Sequence, residues 1–146
     1  MKLVHLVIGV LAIGLSGAAG VYGAWCWWRV RSSRWFWRLL RASQVVVVVE
    51  VILGGALVLI GHKPPGLHLL YGLLPVAVAF IAEQLRVASA QMVLDSRGFE
   101  SSADVGALPE DEQHAVVLAI LQREMGVMVI AALVILALLA RAATTG

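Results

Sequence analysis

The sequence predicts an all-α protein: a bundle of four transmembrane helices, with an interfacial amphipathic connection after the first and a cytoplasmic helical extension of the third and fourth. Three observations carry this expectation. The 146 residues are 61% hydrophobic and only 14% charged, and a mean hydropathy of +0.93 lies well above the soluble range. Several apolar stretches approach or exceed the roughly 20 residues with which a helix crosses a hydrocarbon core about 30 Å thick. Two of them meet at Gly61-His62-Lys63-Pro64-Pro65-Gly66, a turn too short for anything except a hairpin. The valine run at 45–49 suits a buried strand, but lipid does not tolerate open sheet edges, so a helix is expected there as well.

The expected spans are about 3–28, 44–61, 66–84 and 122–142 of a single integral membrane domain, 1–146, with a helical hairpin at about 85–121 in the cytoplasm. Span 3–28 also imitates a signal peptide, with Lys2, an apolar core and the small residues Ala18-Ala19-Gly20. The following Arg29, Arg31, Arg34, Arg38 and Arg41 argue for retention, because short arginine-rich loops stay on the cytoplasmic side. Ala12, Ser16, Gly20 and Ala24 recur every fourth residue and form a flat stripe for close helix packing, within the chain or against a second copy.

Stretch 25–44 combines five tryptophans and Phe36 with five arginines and no acid. Arg31, Arg34, Arg38 and Arg41 share one helical face, which predicts a helix lying in the interface that touches lipid phosphates or an acidic partner. The second span then carries Glu50 near its middle, where a charge costs at least about 2.5 kcal/mol. Glu50 is therefore expected to be protonated, paired or facing a wet cavity, with Ser16 at similar depth or a backbone carbonyl as its hydrogen-bond partner, or to contact another chain or relay protons. In the third span Pro75 removes a backbone donor and frees the Tyr71 carbonyl. Leu85, Ala88 and Met92 continue a helical face into water. Pro109 followed by Glu110, Asp111 and Glu112 marks the start of the last helix, acids at the positive end of its dipole.

Eight of the eleven lysines and arginines then fall on one side, which places both termini outside a bacterial cytoplasmic membrane. The net charge of +2 and the pI near 9.1 reflect this topology, so no nucleic-acid partner is expected. Cys26 is the sole cysteine, which excludes an internal disulfide.

Candidate chemistry centres on histidine. His5 opens the first span and His68 the third, at the same outer depth, with His62 in the nearby turn. Two facing imidazoles can ligate a haem iron, or all three a divalent metal. Residues 44–72, with Gly54-Gly55, the outer turn and Gly66-Leu67-His68-Leu69-Leu70-Tyr71-Gly72, resemble one half of haem A synthase. That resemblance implies that His68 is a haem ligand and His5 its partner. The chain departs from the synthase pattern in lacking an arginine beside His5 and a cysteine pair outside. More broadly, the four spans and the His-x-x-Tyr-Gly opening resemble small bacterial membrane proteins of about this length, which implies an architecture and no activity. No phosphate loop, His-Glu-x-x-His or nucleophile elbow is present. The expected function is that of a non-catalytic accessory or assembly component of a larger membrane complex, in contact with lipids and other chains or itself. The alternatives are a haem b protein of electron transfer or haem handling and, third, proton-coupled transport through Glu50 in an oligomer.

Overall fold

A computed structural model describes residues 2–145 and contains helices with no strand among them. In chain order these are α1 (Lys2–Trp28), α2 (Arg34–Leu59), α3 (His68–Ser96), the short α4 (Ser102–Gly106) and α5 (Glu110–Thr144). The four longer helices are each long and apolar enough to cross a membrane. Consecutive long helices run in opposite directions. One end of the molecule therefore gathers His5, the α2–α3 turn and His68, and the other gathers the arginine-rich α1–α2 connection.

Alpha-five is the central element. Half of its most apolar window is buried, against 11–22% for the other three, and it packs along both α1 and α3. Close approach is achieved by setting large side chains onto glycines. A Cβ at Gly23 would collide with Phe36 of α2 and Val129 of α5, one at Gly20 with Leu133 of α5, and one at Gly126 would stand 2.9 Å from the Trp27 ring. The expected stripe on α1 is thus used inside the chain, with Ala12, Ser16 and Gly20 all buried. Such backbone-to-side-chain contact draws helices together even where burial of apolar surface supplies little drive.

The interfacial helix expected between the first two spans is absent as a separate element. Alpha-two begins at Arg34, ten residues before the expected start, and continues unbroken to Leu59. Arg34, Leu39, Leu40, Arg41, Ala42 and Gln44 are all good helix formers with no breaker among them, so nothing stops the helix before the valine run. The connection shrinks to residues 29–33, and Arg34, Arg38 and Arg41 ride on the first turns of α2 itself.

Beyond the apolar windows, α3 and the start of α5 pair as the expected antiparallel hairpin. Val93, Leu94 and Val116 form its small core, covered by Phe99, Val105 and Leu108 of the connection. That connection contains α4. Asp104 Oδ2 accepts from the Ser101 and Glu100 amides at 2.8 and 3.0 Å and fixes its first turn.

Three helices end in the same way. In each, the amide two residues past the last turn bonds five residues back while its predecessor bonds three back: Arg31 to Cys26 and Val30 to Trp27, His62 to Leu57 and Gly61 to Val58, Phe99 to Leu94 and Gly98 to Asp95. The motif requires a left-handed residue, supplied by Gly61 (φ 92°) and Gly98 (φ 77°), but after α1 by Val30 (φ 52°). A β-branched residue is strained there by about 1–2 kcal/mol. Val30→Gly is therefore expected to stabilise the protein by about 1 kcal/mol, read as a rise in detergent melting temperature; a fall would contradict the strain at this position.

Candidate functional site

The histidine end brings together three polar side chains from three helices. His68 is the first residue of α3, and its Nδ1 lies 2.9 Å from the Ala142 carbonyl near the end of α5. A carbonyl only accepts, so Nδ1 carries the proton and the neutral ring keeps its lone pair on Nε2. The His5 ring stands edge-on to it, centroids 6.1 Å apart and planes at 73°. On its other flank, His5 Nδ1 lies 3.0 Å from Glu50 Oε1. That distance makes an ion pair once His5 is protonated, but the angles are not those of a hydrogen bond, and His5 Nδ1 and Glu50 Oε2 have no other partner among the described residues.

Glu50 therefore does meet a partner, but not the one expected. Ser16 is bonded instead to Ser43 of α2, Oγ to Oγ at 2.8 Å and fully buried. With α1 and α2 antiparallel and Ser16 level with Ser43, Glu50 lies seven residues, roughly 10 Å, nearer the histidine end. That places it beside Gly9 and within reach of His5. Two glycines make the space. A Cβ at Gly9 would sit 2.8 Å from Glu50 Oε1, and one at Gly54 would sit 3.3 Å from His5 Cε1. Neither glycine spacing nor composition reveals this; only the α1–α2 register does.

The remaining expected residues divide. Tyr71 is half-buried one turn into α3, with the Arg141 guanidinium 5.9 Å from its ring centre. His62 is exposed in the turn. Among the described residues no three histidine, cysteine or acidic side chains come together as a metal site, which corrects the expected grouping of His62 with His5 and His68. His62 is carried by the end motif of α2, whereas the other two point between helices.

A haem iron held by this pair would use the free ring nitrogen of His68, with the two ring centres 6.1 Å apart. On the α2 flank, however, Glu50 and Gly54 already touch His5, so a flat macrocycle has no room on that side. Any such ring system would have to lie on the flanks away from α2.

The arginine end holds a second polar cluster. Arg41, expected on the lipid- or partner-facing surface, instead binds Glu83 of α3, its second contact at 3.3 Å. Gln44 adds a bond to Glu83 Oε1 at 3.1 Å and Arg86 one to Oε2 at 2.9 Å. This clamp joins α2 to α3, which otherwise touch little. Glu83 was legible in the sequence only as the point where the third span ends; the i, i+3 spacing of Glu83 and Arg86 was the available signal. Arg31, Arg34 and Arg38 do remain exposed, and Arg38 and Arg29 stack near Trp35, Trp25 and Trp28.

Comparison with protein-family models, curated proteins and solved structures finds no match for this chain. Its chemistry is therefore read from its own residues.

Removing the clamp's acid leaves two guanidiniums facing each other. Because Arg41 is about half exposed, solvent screening limits the effect, and Glu83→Gln is expected to cost about 1 kcal/mol. Chemical or thermal unfolding in detergent checks this, and an unchanged midpoint would mean that α2 and α3 are held elsewhere.

Proposed function

We propose that this protein is a four-helix integral membrane bundle that acts as a non-catalytic accessory or assembly component of a larger membrane complex. Membrane insertion is supported by the apolar outer faces of the four helices, where residues such as Leu3, Val10, Ile52 and Phe80 are exposed without any covering element. The arginine asymmetry and the tryptophan belt support an orientation in a bacterial cytoplasmic membrane with both termini outside and the hairpin inside.

The accessory role rests on one observation. On the hairpin, beyond the Glu83 clamp, Val117, Leu118 and Leu121 share a face of α5 and are 49%, 41% and 38% exposed. Water-facing apolar clusters of this kind mark protein contacts. The stripe on α1 no longer needs an outside partner, since it is used within the chain, and Glu50 already lies against His5, so the hairpin carries the reading. In native membranes solubilised in mild detergent, the protein is expected to migrate in an assembly larger than one chain with its micelle. Leu118→Glu combined with Leu121→Glu should release it with helicity unchanged. Migration as a lone chain in both cases would reject the proposal.

A second reading, haem b binding in electron transfer or haem handling, is favoured by the approach of His5 and His68 from diagonal helices and by the tautomer that Ala142 imposes on His68. When bound, haem would supply one-electron chemistry, with His68 and His5 as its holders. Protein purified from haem-supplemented cells should then show a Soret band that His68→Ala removes and His62→Ala leaves intact. A colourless preparation would dismiss this second reading.

A further inference from the structure

Along the outer surface between α3 and α5 runs an apolar groove of about 270 Å³, floored by Ala82 and Ala131 and walled by Ile81, Leu85, Val127 and Val134. Ile81, Leu85 and Val134 are exposed and Val127 is half-buried, and no other element of the chain covers the groove. Arg123 stands at its arginine-end mouth. One turn before Val127 on the same face of α5, it reaches across to α3, where Nη2 lies 3.3 Å from Met92 Sδ. A thioether is a weak acceptor. Arg123 makes no ion pair with any acid among the described residues, whereas the nearby Arg41 and Arg86 are both bound to Glu83. Its depth is set by its neighbour, since Gln122 Nε2 donates to the Trp27 carbonyl at 2.9 Å and so levels this turn of α5 with the tryptophan belt.

We propose that this groove is a specific site for an anionic glycerophospholipid, one acyl chain lying along Ala82 and Ala131 and the phosphate meeting the Arg123 guanidinium. The assignment rests on the membrane reading above and is independent of the accessory role. Size selects the chain over a helix. A methylene fills about the space of a liquid water, roughly 30 Å³, so the groove takes on the order of nine methylenes. A helix about 10 Å across would rest on the rims instead. Charge selects the headgroup, because a free guanidinium at phosphate depth discriminates an anionic lipid from one whose phosphate is already neutralised by choline. The run from Val134 to Val127 covers roughly 10 Å, and the next turn puts Arg123 at the surface where a headgroup lies.

Detergent-purified protein titrated with dioleoylphosphatidylglycerol or dioleoylphosphatidylcholine and read by native mass spectrometry tests this. The first phosphatidylglycerol is expected to bind about fivefold more tightly than phosphatidylcholine, the effect of one basic side chain at the headgroup layer. Arg123→Gln should abolish the preference. Val134→Phe, which fills the groove from its exposed rim, should weaken both lipids, and Arg38→Gln should change neither. Equal affinities in the unaltered protein would overturn the site. So would a preference lost in Arg38→Gln but kept in Arg123→Gln, which places the headgroup at the tryptophan–arginine edge. A doubled mass suppressed by Val134→Phe would show a second copy in the groove instead. Failure of the membrane reading looks different: the chain would then stay monodisperse in buffer without detergent.

Discussion

The close seating of bulky side chains on bare backbone around α5 is the constraint on which the rest depends. Phe36 and Val129 occupy the space a side chain at Gly23 would need, Leu133 that of Gly20, and Trp27 lies against Gly126. Each contact fixes two helices in both distance and depth. Among helices as apolar as these, shape complementarity of this kind supplies attraction even where burial gives little drive. The Ser16–Ser43 bond adds a polar contact at the same level, one that lipid would otherwise leave unsatisfied.

Depth, once fixed at the glycine seats, propagates. Two turns from Ser43, Glu50 arrives opposite Gly9 and beside His5, and the same packing on α5 carries Ala142 to His68. The depth of the histidine end is therefore set at a distance, and its own contacts of Glu50 with His5 and of His68 with Ala142 complete it. The arginine end is built differently: Glu83 gathers Arg41, Gln44 and Arg86 directly, two helices joined by charged hydrogen bonds where water is close enough to lower their cost.

Much of the architecture was legible in the residues. Length and apolarity identify the four long helices, the Gly61–Gly66 turn joins two of them, and Pro109 with its following acids locates the start of α5 within a residue. The meeting of His5 and His68 followed from the alternation of helix direction alone. What composition could not show was register. A shift of seven residues between α1 and α2 leaves hydropathy unchanged but exchanges Ser16 for His5 as the neighbour of Glu50. The early start of α2 was hidden for a related reason, because tryptophan and arginine mark an interface whether the helix lies in it or passes through it. The roles of Glu83 and Arg123 are not legible in the sequence because they depend on which partners each side chain can reach on a neighbouring helix.

The order of synthesis gives the central position of α5 a further meaning. Alpha-one, α2 and α3 leave the ribosome before α5, and even in the complete fold only 11–22% of their apolar windows is buried. The seats at Gly20 and Gly23 face Leu133 and Val129 of α5. Those seats therefore stay unfilled until α5 has been made, and the tertiary structure closes in a late step, when α5 enters between α1 and α3.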